Sequence, residues 1–433
     1  MNEPAILWLR RDLRRHDHPA LLKAHEDAGS AGVLPLFVID PVLWKSAGPA
    51  RRGWLAATLK ATNAAYADRL VIRLGDPAVV VPKVARELGA ERVHVTRETT
   101  PYGARRDRKI AAALNDAEVE LLETGTPYAV GPGLITNGSG NPYKVFTPFS
   151  KAWREHGWPA PAKVDRVHWA TAESDGRVAK MLDKAIREAP ELPGAGEDAA
   201  ITRWHEFLDD IDDYGDDRNR PDLDATSRLS PYLKYGVLHP RTLLADITSK
   251  SKGAERFATE LAWREFYADV LHHNPRSAWQ DLNPLGIPYD DPDDLFEAWK
   301  DGRTGFPIVD AGMRQLNETG WMHNRVRMIT ASFLTKDLHV WWPHGARYFL
   351  DRLIDGDIAS NNHGWQWVAG TGTDAAPYFR VFNPTTQGEK FDPTGAYVRR
   401  WIPELGTDDY PEPIVDHKAE REETLRRYEH RGH

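Results

Sequence analysis

Residues 5–15 read AILWLRRDLRR, a short apolar run that ends in a cluster of arginines. Four more apolar runs follow at residues 33–39, 70–74, 92–95 and 119–122, and helical patterns lie between them at about residues 18–28, 51–68, 77–88 and 102–115. Short buried strands that alternate with helices of this length predict right-handed crossovers and a doubly wound parallel sheet. We therefore expect a Rossmann-like α/β domain at the start of the chain.

The loop after the first run lacks the G-x-G-x-x-G pattern of dinucleotide-binding folds and reads Arg10-Arg11-Asp12-Leu13-Arg14-Arg15 instead. This argues against an NAD site in this half of the chain. The arginines fit either a solvated loop or a ligand crevice at the carboxyl ends of the strands.

The composition excludes several classes of protein. The chain has 433 residues, no cysteine, and 56 basic against 64 acidic residues, which gives a net charge of −8. Disulfides, thiolate metal sites and thiol nucleophiles are thus excluded, and contact with a polyanion would need a local basic surface. No apolar run approaches the length of a membrane span, so we expect a cytoplasmic protein, and we expect a monomer. Sixteen tryptophans, ten of them after Ala200, require an explanation.

Three regions are distinguished by their patterns. Residues 1–126 form the predicted α/β domain, and residues 127–200 are rich in turn-forming residues, which is typical of a connector with flexible stretches. Residues 201–433 show apolar residues at three- and four-residue spacing, as in ERFATELAWREFYADVLHH, and predict an all-helical domain.

Two helical patterns carry unusual groups. Glu260, Trp263, Arg264 and Tyr267 share one side of a predicted helix, and Trp321, Asn324, Arg325 and Met328 share a side of another. Each set fits either an ordinary amphipathic boundary or a site that reads hydrogen-bonding edges.

Two further stretches suggest a ligand without naming it. DGDIASNNHGWQWVAGTGTDAAPYFRVFN (355–383) groups carboxylates, carboxamides and tryptophans, which suits a flavin or a nucleobase better than a calcium loop, and we expect no metal site. DATSRLSP (224–231) fits either a phosphate site or a simple helix cap.

Taken together and in order, several long motifs resemble class I DNA photolyases that repair cyclobutane pyrimidine dimers. They are TSRLS (226–230), ELAWREFY (260–267), ETGWMHNRVRMITASFLTKDL (318–338), DGDIASNNHGWQW (355–367) and FNPTTQGEKFDPTGAYVRRWIPEL (382–405). The resemblance covers essentially the whole chain. It implies an α/β antenna domain and a helical domain with FAD, whose reduced form absorbs blue light and passes one electron to the dimer.

The resemblance also implies which residues hold the flavin. The FAD phosphates and nearby groups would lie against Tyr214, Thr226, Ser227, Arg228, Leu229 and Ser230. The ring and ribityl parts would lie near Glu260, Arg264, Arg327, Asp355, Gly356, Asp357 and Asn361, with Arg327 paired to Asp355. Asn361 stands where plant cryptochromes have Asp, a difference that favours repair.

The lesion and its DNA have their own implied residues. Glu260, Asn324 and Met328 would line the dimer pocket between Trp263 and Trp367, with the dimer flipped out of the duplex. The two histidines of (6-4) photolyases are replaced here by Asn324 and Met328. Family contacts to the damaged DNA map onto Arg218, Trp263, Tyr267, Asn324, Arg325, Gln387 and Lys390. Residues 321–350 hold four basic residues and one acidic residue, which predicts a positive rim.

Two accessory features follow from the same resemblance. The family's photoreduction chain maps onto Trp365, Trp342 and Tyr289, and the family has a third Trp at the position of Tyr289. Trp341, Trp299 or another nearby Trp is an alternative outermost electron donor. An antenna chromophore would contact Phe37, Arg51 and Glu98, and the local sequence favours 8-hydroxy-deazaflavin over methenyltetrahydrofolate, with an empty antenna site as a further possibility.

Two other functions remain open at this stage. One is a cryptochrome-like blue-light signalling flavoprotein, and the other is a light-independent flavin oxidoreductase. The second leaves the tryptophan-rich helical half unexplained.

Overall fold

The sheet of the α/β domain is parallel and has the strand order β3-β2-β1-β4-β5. In a computed structural model, which describes residues 3–164, 166–375 and 380–429, the strands are β1 (Ala5–Leu9), β2 (Val33–Ile39), β3 (Val71–Leu74), β4 (Arg92–Val95) and β5 (Glu120–Glu123). The chain runs outward from β1 in one direction and then returns to the other side through β4. A ligand crevice is expected at this reversal, beyond the carboxyl ends of β1 and β4, and Arg10 and Arg11 lie directly there.

Five helices accompany the sheet, namely α1 (Pro19–Ala28), α2 (Pro41–Lys45), α3 (Pro49–Ala65), α4 (Pro77–Leu88) and α5 (Pro101–Asn115). Each begins with proline, whose fixed φ and missing N–H suit the first turn. The side chains of Asp40, Asp76 and Thr100 cap the helices that follow them by accepting a backbone N–H. The predicted doubly wound α/β domain is confirmed.

The segment after the sheet contains α6 (Phe146–His156) and α7 (Val178–Arg187). Its composition predicts a flexible connector, but a side chain of the helical domain anchors it. The buried carboxylate of Glu265 accepts the backbone N–H groups of Ala129 and Val130 and the indole N–H of Trp153. Burial raises the pKa of Glu265, while these hydrogen bonds oppose the rise. The boundaries at residues 126 and 200 stay predictions.

The elements that the described residues form after α7 are helices joined by loops, as predicted. The helices are α8 (Glu197–Asp209), α9 (Tyr214–Asp217), α10 (Ser230–Lys234), α11 (Pro240–Asp246), α12 (Lys252–His273), α13 (Asp294–Asp301), α14 (Pro307–Thr319), α15 (Asn324–Ser332), α16 (Trp342–Arg352), α17 (Ile358–Ala369), α18 (Pro384–Phe391), α19 (Ala396–Trp401) and α20 (His417–Glu429). Trp299, Trp342 and Trp365 belong to the buried core of this domain. None of the helices in the described ranges is long and apolar enough to cross a membrane.

A buried polar cluster joins the two domains. Asp17 follows β1 and pairs with Arg241 of α11, and its Oδ1 also accepts the backbone N–H of Ala162. His239 lies beside them, with Nε2 2.8 Å from the carbonyl oxygen of Thr126 and Nδ1 3.1 Å from the backbone N of Arg241. His239 Nδ1 also lies 3.1 Å from Asp17 Oδ2, which favours the charged ring, but burial outweighs this carboxylate and keeps the imidazole neutral.

The neutral state of His239 makes the stability of the fold depend on pH. Burial, reinforced by nearby Arg14, lowers the pKa of His239 to about 4, whereas an unfolded histidine titrates near about 6.5. Between these values the unfolded chain binds more protons, so the free energy of unfolding decreases as the pH falls from about 6.5 to about 4. We expect His239→Gln to reduce this decrease, measured by urea unfolding across that range. The exposed His156→Gln is the matched control, and equal pH dependence in both variants would refute the assignment.

Candidate functional site

One cavity of the helical domain collects most of the residues predicted to bind the flavin and the lesion. It measures about 560 Å³, within the range of ordinary ligand sites. The predicted residues on its wall are Tyr214, Arg218, Ser227, Leu229, Ser230, Glu260, Trp263, Arg264, Tyr267, Asn324, Arg325, Arg327, Met328, Asp355, Gly356, Asp357, Asn361, Trp365 and Trp367. Trp321, which was not assigned a role, also lines it.

Asp355 presents a polar atom toward this cavity. Its Oδ2 accepts hydrogen bonds from Ser230 Oγ at 2.6 Å and from Arg327 at 2.8 Å, so the expected Arg327–Asp355 pair is formed. Its Oδ1 is buried and has no hydrogen-bond partner among the described residues. A buried carboxylate oxygen without a donor is costly, which fits a ligand that supplies an N–H or O–H at this point.

Asp357 is the second carboxylate and fixes the start of α17. Its Oδ1 accepts the backbone N–H groups of Ala359 and Ser360, and its Oδ2 accepts a hydrogen bond from Arg11 at 2.7 Å. Burial alone would raise the pKa of Asp357, but the cations of Arg11 and Lys234 lower it well below its ordinary value. A carboxylate held ionised this firmly places a fixed negative charge on the cavity wall.

The loop before α10 is anchored through its backbone carbonyls. Arg203 donates to the backbone carbonyls of Thr226 and Ser227, at 2.8 and 3.0 Å. Thr226 itself does not line the cavity, and neither does Arg228, which pairs with Asp224 and lies 4.7 Å over the ring of Trp321. The predicted contacts of these two side chains to the phosphates stay a prediction. Arg203, which the motifs did not single out, shapes this wall.

The predicted lesion residues also come together on the lining of this cavity. Trp263 of α12 stacks on Phe146 with ring centroids 3.7 Å apart, so that Phe146 backs the indole. Glu260 pairs with Arg218 and also with Arg256 at 3.2 Å. Arg218 was expected as a contact to the DNA backbone, but its guanidinium belongs to the cavity wall beside Glu260.

Asn361 of α17 also lines the cavity. Its Nδ2 donates to the carbonyl of Ala346 at 3.2 Å and to Asn362 Oδ1 at 2.8 Å. Two donated hydrogen bonds hold the amide in one orientation at the cavity surface.

The predicted positive rim is smaller than its composition implies. Lys336 is fully buried and donates to the carbonyl of Arg380, while Arg327 is committed to Asp355. Arg325 lies 4.4 Å over the ring of Phe391. Lys390 of α18 lies on the same ring at 5.3 Å, so a compact cationic edge forms at α18, which also carries Gln387.

A second cavity of about 720 Å³ lies at the carboxyl edge of the sheet, between the two domains. Phe37, Arg51 and Glu98, the predicted antenna contacts, all line it. Its wall holds three acidic side chains against eight basic ones, namely Arg10, Arg11, Arg51, Arg52, Arg105, Arg106, Lys234 and Arg347. Burial would raise the pKa of Glu98, but Arg11 and the backbone N–H of Thr100 lower it.

Lys234 and Gly356 line both cavities. Burial and the cation of Arg11 lower the pKa of Lys234 to about 7. Lys234, Gly356 and the Arg11–Asp357 pair therefore lie between the two cavities. The fold and the site thus define a two-domain protein in which the helical domain contains a polar cavity of ligand size beside a second, cation-rich cavity.

Comparisons with known proteins agree with this class. Residues 5–165 match the family described as DNA photolyase, and residues 257–407 match the FAD binding domain of DNA photolyase. A deoxyribodipyrimidine photo-lyase from Synechococcus is 39% identical, over 98% of this chain and 96% of the relative. The chain belongs to the photolyase/cryptochrome family.

Solved structures agree over the full length. A class III photolyase from Agrobacterium tumefaciens is 35% identical with a TM-score of 0.89, covering 99% of this chain and 98% of its own. A Synechocystis cryptochrome is 25% identical with a TM-score of 0.85, covering 99% of both chains. An archaeal photolyase from Sulfolobus tokodaii with two FAD molecules is 28% identical with a TM-score of 0.84, covering 98% of this chain and 99% of its own.

Proposed function

We propose that this chain is a light-dependent DNA repair enzyme that splits cyclobutane pyrimidine dimers with one electron from reduced FAD. The observation that carries the proposal is a single cavity that is lined both by Asp355 and Asp357 and by Glu260, Trp263 and Trp367. A single cavity can then seat the electron donor against its acceptor. The full-length likeness to photo-lyases favours repair over cryptochrome-like signalling.

The bound flavin would supply the light absorption and the transferred electron. Ser230, Arg327 and Asp355 form one hydrogen-bonded group that would hold its polar edge, since Asp355 Oδ1 still lacks a donor. Asp357 and Arg264 would fix the local charge beside it. The predicted flavin contacts of Tyr214, Ser227, Leu229, Gly356 and Asn361 are compatible with their positions on the lining of the same cavity.

The lesion would enter as a flipped dinucleotide. Its weakened pairing lowers the cost of leaving the duplex, which is a few kcal/mol for an ordinary base. Trp263 and Trp367 would act as flat apolar walls, Asn324 and Met328 would line the pocket, and Glu260 would accept a hydrogen bond from the pyrimidine edge. Tyr267 would complete the wall.

The surrounding DNA would lie along the cationic edge at α18. Arg325 and Lys390 meet on Phe391, and Gln387 lies on the same helix. Contacts to phosphates position a duplex without reading its sequence, so the affinity should depend on damage and fall with salt. The class I assignment and the monomeric state stay predictions.

The second cavity would take an antenna chromophore. Its excess of basic side chains favours an anionic ligand, and 8-hydroxy-deazaflavin remains our choice over methenyltetrahydrofolate. The near-ultraviolet and visible absorption of the purified protein distinguishes a deazaflavin, a folate and no antenna, and Arg51→Ala should release the chromophore while FAD stays bound. A folate spectrum would overturn the choice.

The direct test of the main proposal is repair of an oligonucleotide that contains one thymine dimer. We expect the chemically reduced, FAD-loaded protein to restore the two thymines in blue light and not in darkness. Unchanged dimers after illumination would refute repair.

Glu260→Gln tests the proposed hydrogen bond between Glu260 and the pyrimidine edge of the dimer. Loss of the charged acceptor should lower the quantum yield of repair roughly threefold, as expected for one weakened hydrogen bond, while FAD content changes less. Glu255→Gln, on the exposed side of α12, is the matched control. An unchanged yield in Glu260→Gln would remove this residue from the catalytic set.

Trp365→Phe tests the proposed route of photoreduction. Phenylalanine is much harder to oxidise than tryptophan, so light-driven reduction of the oxidised protein should be abolished. Dimer repair by chemically reduced protein should fall far less, because it does not use this route. Photoreduction at the parent rate would show that Trp365 is not its first step.

A further inference from the structure

The carboxylate of Asp281 binds two neighbouring indoles. Its Oδ1 accepts the Nε1–H of Trp342 at 2.7 Å and the Nε1–H of Trp341 at 3.1 Å. Trp342 is fully buried, whereas Trp341 and Asp281 are partly exposed. The ring centroids of the two indoles are 6.4 Å apart. One acidic oxygen thus joins a buried tryptophan to one that solvent reaches.

Such a carboxylate favours the oxidised form of an indole. Removal of one electron leaves a positive charge on the ring and makes its N–H strongly acidic, and a charged acceptor stabilises that state more than a neutral one does. Trp299 provides the comparison within the same core, because its Nε1–H donates to the neutral carbonyl of Thr330 and its side chain is fully buried.

Tyr289 differs from Trp341 in the surroundings of its hydroxyl, the group that loses a proton on oxidation. Its ring lies 6.5 Å from that of Trp341, but its hydroxyl is buried and has no hydrogen-bond partner among the described residues. Burial, with the nearby charge of Asp281, raises the pKa of Tyr289 well above its ordinary value. A tyrosine must release its phenolic proton when it is oxidised, and the part of the chain that the structure describes places no acceptor at this hydroxyl.

The inner end of the route contacts the same helix. A Cβ at Gly345 would lie 2.2 Å from Cη2 of Trp365, so the Trp365 ring packs directly on this face of α16. Trp342 lies one helical turn earlier, at the i and i+3 spacing that places two residues on one face. Trp365 and Trp342 therefore adjoin the same face of α16, and Trp341 continues from Trp342 toward the surface. The ring of Trp299 also lies 6.1 Å from that of Trp365, but it is fully buried and leads to no exposed indole among the ring contacts of the described residues.

We propose that Trp341, and not Tyr289, is the outer electron donor of this protein, and that Asp281 is the positioning residue that makes it so. The inference rests on the proposed function, in which light-excited flavin is the one-electron oxidant reached through Trp365. An electron passes from Trp341 to the oxidised indole of Trp342, which returns to its neutral form. The Nε1 proton of Trp341 moves to Asp281, leaving a neutral indolyl radical and a carboxylic acid. A solvent thiolate then gives one electron to the radical, the proton returns from Asp281 to Nε1, and a thiyl radical leaves.

The test uses FAD-loaded protein, blue light and a thiol, with transient absorption to identify the radicals. Trp341→Phe should lower the yield of stable photoreduction about tenfold, whereas Tyr289→Phe should leave it unchanged. Asp281→Asn keeps an oxygen that accepts both N–H groups but has no charge and cannot take the proton. It should lower the yield about fivefold, as expected when charge-assisted hydrogen bonds become neutral, and the long-lived signal should be a protonated indole cation instead of the neutral radical.

A tyrosyl radical in the parent protein, or loss of photoreduction in Tyr289→Phe with a normal yield in Trp341→Phe, would overturn the proposal. A neutral radical that persists in Asp281→Asn would remove Asp281 from it. If Trp341→Phe fails to bind FAD, the radical spectra of the parent and of Asp281→Asn still decide. Repair of thymine dimers by the chemically reduced parent is measured separately, so that failure of the repair proposal is distinguished from failure of this one.

Discussion

The buried ion pair between Arg11 and Asp357 is the contact on which both sites depend. Arg11 follows β1 and donates to Asp357 at 2.7 Å and to the backbone carbonyl of Lys234 at 3.1 Å, while Asp357 caps α17. A desolvated ion pair is favourable only if its remaining hydrogen-bonding groups are satisfied, and here the helix N–H groups complete it. The end of the first strand thereby fixes the helix that carries Asn361, Trp365 and Trp367. Gly236 permits this approach, because a Cβ there would lie 1.8 Å from the carbonyl oxygen of Arg11.

The contact between Arg11 and Asp357 also explains why the two cavities lie side by side. A crevice at the carboxyl edge of a doubly wound sheet is a general property of that fold, and here a second domain closes it. Lys234 and Gly356 face both cavities, and the guanidinium of Arg51 approaches Gly356 closely, since a Cβ at this position would stand 3.0 Å from its Nη1. The packing of the two domains thus also determines the shape of both cavities, so a change that separates the domains would disturb both.

Much of this could be predicted from local sequence, because local patterns report which face of an element is buried. Strands β1, β2 and β4 lie where the apolar runs predict them, β3 begins one residue later, and β5 is shifted by one residue at both ends. The i, i+3, i+4 spacing on α12 and α15 brings the predicted lesion residues together. Contacts between distant residues carry no such signal. Arg203 reaches Thr226, Glu265 holds the segment at Ala129, and Asp281 joins two indoles sixty residues away, and nothing in the neighbouring sequence marks these partners. The segment 321–350 was misleading for the same reason, since composition does not reveal that Lys336 is buried.

The acidic charge of the whole chain does not conflict with a polyanionic partner. At physiological salt, exposed charges interact over roughly 8 Å, so a duplex near α18 responds to the groups beside it and hardly to the net charge of −8. Burial lowers the pKa of Arg325 to about 10, so this guanidinium still carries its charge at neutral pH. Arg325 also donates to Asn219 Oδ1 at 2.9 Å, which leaves it without a carboxylate partner in these contacts. An arginine that is held by a neutral amide and an aromatic ring keeps its positive potential for phosphate, whereas Arg327, neutralised by Asp355, does not. The difference between these two neighbours on α15 separates the surface that would meet DNA from the wall that would meet the cofactor.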